Sequence, residues 1–110
     1  MTFLFALKII KYTDALEQNR KFVLANQLLK SGTSIGANTR EAQNAESRAD
    51  FIHKFKIAAK EAEETEYWLL LCKYSDGYPF DEQLLADIKE IQKIINSIIH
   101  SSKTKPSSAQ

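Results

Sequence analysis

The sequence predicts an all-α protein built as an up-and-down antiparallel four-helix bundle. Three observations predict it. Helix breakers are scarce, with 3 Gly and 2 Pro in 110 residues, placed at Gly32, Gly36, Gly77, Pro79 and Pro106. An all-β chain would need a turn signal roughly every ten residues. Four stretches carry apolar residues at helical spacing, and the polar connections between them are short, which favours neighbouring helices that run up and down. A chain of this length supports one domain. That domain is expected over residues 1–102, and the Ser- and Lys-rich residues 103–110 are expected to form a flexible tail.

The first helix is expected from Phe3 to about Leu16. Phe3, Leu7 and Ile10 are joined by Leu4, Phe5, Ile9, Ala15 and Leu16, so the helix is apolar around much of its circumference and should be buried on more than one side. Glu17 to Arg20 mark a polar turn, after which Phe22, Ala25, Leu28 and Leu29 restart helical spacing. Ser31 to Ala37 is the ambiguous stretch. Glycine inside a helix costs about 1 kcal/mol relative to alanine, which favours a loop. Gly32 and Gly36 nevertheless stand four apart on one helical face, where small residues admit a close neighbour. The second helix is therefore expected to continue to about Ala45.

Ser47 followed by Asp50 resembles a capping box with Asp in place of Glu. It opens the longest helix, which should stop at about Ser75, before Asp76-Gly-Tyr-Pro79. Phe51, Phe55, Ala58, Ala62, Thr65, Leu69 and Cys72 alternate in steps of four and three, a heptad stripe. Asp81 is a plausible cap for the last helix, where Leu84, Ile88, Ile91, Ile95 and Ile98 repeat the pattern.

Composition excludes several functions. The net charge is +1, from 15 basic and 14 acidic residues, so no bulk electrostatic pull draws the chain to nucleic acid. One cysteine, Cys72, suits a reducing compartment, and MTFLFALKII lacks the basic start and cleavage site of a signal peptide. No apolar run is long enough to span a membrane. The expected location is the cytoplasm. A P-loop reading of Ser31–Ala37 fails for want of Gly-Lys-Ser/Thr. A di-iron bundle needs two Glu-x-x-His motifs; Asp50 to His53 is the nearest approach, and His100 has Ser97 in the matching place. Cys72 lies on the core stripe, where a thiol is an inert small hydrophobe. No metal, cofactor, small-molecule substrate or catalytic residue is expected.

Surfaces carry the remaining signal. On a helical wheel of the third helix, Ile57, Trp68 and Leu71 fall opposite the core stripe, beside Glu61 and Glu64. Tryptophan is enriched in binding hot spots, so these five residues are the expected subunit interface of a homo-oligomer. Glu66 falls near the centre of the core stripe and needs a partner there, sought in Asn38 to Glu41 or on a neighbouring subunit. Asn38, Glu41 and Glu66 are thus the expected structural polar network. Basic residues are spread over the first three helices, and Arg40, Arg48, Lys54, Lys56 and Lys60 are the candidate nucleic-acid contacts. No helix-turn-helix, zinc-finger or RNA-recognition signature accompanies them, but an oligomer would repeat a weak patch and add avidity.

Ser34-Ile-Gly-Ala-Asn38-Thr-Arg-Glu-Ala42, Ser47-Arg-Ala-Asp-Phe51-Ile-His-Lys54 and Lys60-Glu-Ala-Glu-Glu-Thr-Glu-Tyr-Trp68-Leu stand in that order along the chain. Together they resemble the 23S rRNA-intervening sequence proteins, bacterial four-helix bundles encoded within ribosomal RNA gene insertions or as free-standing genes. The resemblance runs from about Phe3 to Ser102. Its motif positions are Ser34, Asn38, Glu41, Ser47, Phe51, Lys54, Lys60, Glu61, Glu64, Tyr67 and Trp68. It implies a cytoplasmic homopentamer with a central channel. Fold relatives include the accessory protein of diversity-generating retroelements, which pairs with a reverse transcriptase and nucleic acid. The implied function is non-enzymatic binding of RNA or a ribonucleoprotein; the alternative is a protein-interaction scaffold with no nucleic-acid contact.

Overall fold

A computed structural model describes residues 1–104. They form four helices, α1 (Thr2–Gln18), α2 (Phe22–Ala42), α3 (Arg48–Tyr74) and α4 (Glu82–Thr104). Consecutive helices pack against each other and α1 also meets α4, so α1 and α3 are diagonal, as are α2 and α4. There is no strand among the described residues. The bundle is elongated, 56 × 20 × 19 Å, and its longest helix, α3, has 27 residues.

Each boundary has a local cause. Beyond α1, the Lys21 amide donates to the Leu16 carbonyl at 2.8 Å and the Arg20 amide donates to Glu17 at 2.9 Å. This pair of bonds is a Schellman motif. It places Arg20 at φ 63°, the left-handed position that glycine usually fills. Ser47 caps α3, its hydroxyl accepting the Asp50 amide at 3.0 Å, and Asp81 caps α4 by accepting the Gln83 amide at 3.0 Å. Gly77, at φ 81°, turns the chain between α3 and α4. The Tyr12 hydroxyl donates to the Pro79 carbonyl at 2.6 Å, and Phe80 packs edge-on to the Tyr12 ring. Those contacts pin this connection to α1. Residues 103 and 104 continue α4, and the rest of the expected tail, 105–110, lies outside the described residues.

The helical reading of Ser31–Ala37 agrees with α2, which ends at Ala42 rather than near Ala45. Gly32 explains the close approach: a Cβ there would lie 2.9 Å from Ile9 Cγ2 and 3.3 Å from Ile9 Cβ. Gly36 is different, since its nearest neighbour, Thr2, would be 3.6 Å away. The heptad stripe of α3 is the core, with Phe55, Ala58, Ala62, Thr65, Leu69 and Cys72 all buried. Leu84, Ile88, Ile91 and Ile95 of α4 face it. One buried polar pair crosses the core, Thr65 Oγ1 donating to Ser31 Oγ at 2.9 Å. Thr65 also sits 2.8 Å from the Glu61 carbonyl.

Expected and observed burial part company in α1. Phe5, Ile9, Tyr12, Thr13 and Leu16 turn inward, but within one chain only this side is covered. Phe3, Leu4, Leu7 and Ile10 remain exposed.

Candidate functional site

The outer face of α3 carries the main candidate contacts. Lys56 and Lys60 are exposed and one turn apart, and Tyr67 and Tyr74 follow on the same face, also exposed. Glu63 and Glu64 interrupt this row. Tyr67 is steadied by its neighbour, its ring 5.2 Å from that of Trp68 in an edge-on arrangement. The other candidate cations lie apart. Lys54 Nζ is 2.8 Å from Glu41 Oε1 on α2, and that carboxylate holds the ammonium charged by hydrogen bond and by proximity. Arg40 lines a groove between α1 and α2. Arg48, at the start of α3, borders a depression at the far end of the bundle with Gln43, Phe51 and Ser102. The five basic residues therefore form no single patch; Lys56 and Lys60 form the compact pair.

The residues expected at the interface also divide. Ile57 and Glu61 are half-buried, Glu64 is exposed, and Leu71 lies at the margin of exposure. Trp68 is half-buried and packs against the chain's own core, its indole N–H buried without a hydrogen-bond partner among the described residues. It is not opposite the core stripe but on its flank. Burial, then the neighbouring Glu64, raise the Glu61 carboxyl above the usual range, against a pull from Lys30 and Lys60.

The expected polar network is three separate contacts. Asn38 Nδ2 donates to the Ser34 carbonyl within its own helix at 2.9 Å, and Glu41 pairs with Lys54. Glu66 finds its partners on α4, where Lys89 donates at 2.9 Å and Gln92 at 3.1 Å. These bonds, Lys89's first, hold the Glu66 carboxyl below the usual range. Glu66 is not central to the core stripe: Thr65 occupies the stripe, and one residue further the helix has rotated by about 100°, toward α4. Its partners thus lie on α4 rather than in Asn38 to Glu41.

Catalytic arrangements are not apparent among the described residues. No cluster of three or more His, Cys, Asp or Glu suited to a metal ion occurs among them, and His53 is exposed at the start of α3. Burial, partly opposed by a Tyr12 hydrogen bond, raises the Cys72 thiol, which keeps it protonated and unreactive. No helix among them is long and apolar enough to cross a membrane.

A further apolar surface lies apart from the site residues predicted above. Phe3, Leu7 and Ile10 share the face of α1 that points away from the core, and Leu4 stands beside them. Their spacing is part of what predicts burial on more than one side of α1, and the bundle itself covers only the side of Phe5, Ile9, Tyr12 and Leu16.

Fold and surface together define a compact helical bundle whose distinctive chemistry is displayed on helix faces. More particularly, the chain belongs to the 23S rRNA-intervening sequence protein family, whose model matches residues 1–97. A crystal structure from Bacteroides thetaiotaomicron, of a protein of unknown function in the S23 ribosomal protein family, is similar to it with 48% identity and a TM-score of 0.78. The match covers 89% of this chain and 94% of that one. No curated protein matches the chain.

Proposed function

We propose that this chain is a non-enzymatic, cytoplasmic, oligomeric bundle that binds RNA, free or within a ribonucleoprotein, through the outer face of α3. The observation that carries this reading is the row of Lys56, Lys60, Tyr67 and Tyr74 on one exposed face. Lysines neutralise phosphates, and aromatic rings offer stacking surfaces to unpaired bases. Membership of a family described by its ribosomal RNA connection supports the same reading. The family resemblance supplies an expected subunit count of five, and repetition around such an assembly compensates for a small site on each chain.

Single-stranded RNA titrated at low salt tests the proposal. Wild-type protein should bind, and its affinity should fall as salt rises, by about 0.7 log units per log unit for each phosphate neutralised. The Lys56→Ala/Lys60→Ala pair should weaken binding and flatten that slope. Absence of binding at low salt would defeat the proposal. It would favour a protein scaffold, a reading supported by Glu63 and Glu64 on the same face and by the net charge of +1.

A further inference from the structure

We infer that the outer face of α3 selects unpaired RNA over duplex. Lys56 and Lys60 take phosphates, Tyr67 and Tyr74 take bases, and Glu63 and Glu64 turn away a continuous run of phosphates. The inference rests on the reading of RNA binding above and names the class of RNA. Lys56, Lys60, Glu63, Tyr67 and Tyr74 are all exposed, and at about 100° per residue they fall within roughly 60° of one another around the helix. Glu64, also exposed, stands at the edge of this strip. At about 1.5 Å per residue the row runs about 27 Å from Lys56 to Tyr74. Its chemistry changes along the way, with cations at one end, carboxylates in the middle and rings at the other end.

The two ends suit different parts of a nucleotide. Lys54, Lys73 and Lys89 are held in ion pairs, whereas neither Lys56 nor Lys60 forms one among the described residues. Tyr67 and Tyr74 are 56% and 75% exposed, and each has a neighbour that steadies it. Trp68 lies edge-on to Tyr67 at 5.2 Å. Lys73 Nζ, 2.9 Å from Glu82 Oε1, sits 5.4 Å from the centre of the Tyr74 ring. Ring area therefore stays open to a base. Between the ends, Glu63 and Glu64 stand three and four residues beyond Lys60, where helical side chains are neighbours. The two carboxylates cancel the charge of the two ammoniums over the row as a whole. A DNA duplex carries a charge about every 1.7 Å of its axis. A duplex of comparable charge density, laid along this row, meets repulsion together with attraction, and its bases are stacked out of reach of the tyrosines. A single strand avoids both penalties, because its phosphates can stay on the lysines while its bases turn onto the rings. Repulsion of the wrong ligand then sets specificity alongside attraction to the right one.

Binding of the full chain to three probes tests this: a short single-stranded RNA, the same RNA annealed to its complement, and inorganic polyphosphate, which offers phosphates without bases. The single strand should bind about tenfold or more tighter than either other probe, with a salt slope of about 1.4 log units per log unit, the value for two phosphates. Tyr67→Ala and Tyr74→Ala should each weaken the single strand about fivefold or more and leave polyphosphate unchanged. Glu63→Gln/Glu64→Gln should bring duplex and polyphosphate closer to the single strand. All four substituted positions are exposed, and circular dichroism confirms the helical fold of each variant. Equal affinity for the three probes, or a single strand indifferent to both tyrosine substitutions, overturns the selection while leaving RNA binding intact. A gap that the double glutamine variant does not narrow overturns the role of the carboxylates. Failure of every probe to bind at low salt overturns the RNA reading itself.

Discussion

At the scale of single residues, the two glycines of α2 look alike in sequence and differ in the fold. Gly→Ala in a helix normally gains about 1 kcal/mol. Gly36→Ala should show most of that gain, because its Cβ would meet only ordinary contacts near 3.6 Å. Gly32→Ala should instead destabilise by roughly 1–3 kcal/mol. Its Cβ would press on Ile9, a β-branched and fully buried side chain whose own Cβ is 3.3 Å away and which has no room to turn. Urea denaturation of the two variants should therefore move in opposite directions; equal shifts would show that the α1–α2 contact yields. Arg20 offers the complementary case. A non-glycine residue at φ 63° carries a left-handed penalty of about 1–2 kcal/mol, offset in a glycine variant by the greater freedom of the unfolded chain. Arg20→Gly should raise stability by about 0.5–1 kcal/mol, measured by the same denaturation. The sequence marked a polar turn at Glu17 to Arg20, but no residue type there announced a left-handed position, since arginine rarely takes one.

At the scale of elements, ion pairs tie α4 to its neighbours. Lys8 meets Asp87 at 2.8 Å, and Lys89 meets Glu66 at 2.9 Å. Burial works to raise the Asp87 carboxyl, but bonds from Lys8 and Gln83 outweigh it and hold the group low. Glu66 is held low as well, by its bonds to Lys89 and Gln92. A carboxylate whose folded pKa is depressed contributes stability above its unfolded pKa, about 4.3 for Glu and 3.9 for Asp. That contribution disappears as pH falls through the folded value. Glu61 has the opposite sign, because its raised carboxyl favours the folded state once protonated. Thus Glu66→Gln should cost about 1 kcal/mol or less at pH 7, as the pair's lysine is largely exposed. It should also lose less stability than wild type between pH 5 and 3. Denaturation midpoints across that range measure it, and parallel pH profiles would show that the pair does not couple to folding. Helix identity and the α3 and α4 stripes were legible because periodicity depends on one chain segment alone. The partners of Glu66 were not, since a wheel gives an angle about one axis and leaves the identity of the neighbouring helix open.

At the scale of the whole molecule, the same limitation shaped the reading of α1 and α3. Sequence pattern showed that each had apolar residues to spare, yet which of them the bundle itself covers depends on how four helices are arranged. The wheel places Trp68 outward, yet it packs partly inward, whereas Phe3, Leu7 and Ile10, on a helix expected to be buried on more than one side, remain open in the single chain. Because α1 and α3 are diagonal, their outer faces point in opposite directions. The row of Lys56, Lys60, Tyr67 and Tyr74 thus stands away from the apolar stripe of α1. Lys56→Ala/Lys60→Ala should weaken RNA of any length and leave the oligomer mass unchanged. In an oligomer, an RNA long enough to reach several subunits should bind on the order of 10²-fold or more tighter than one short enough to lie on one α3. Fluorescence anisotropy with short and long single-stranded RNAs reads both effects. If long and short RNAs bind equally, the α3 faces do not act together, and a site of two lysines and two tyrosines per chain must account for the affinity by itself.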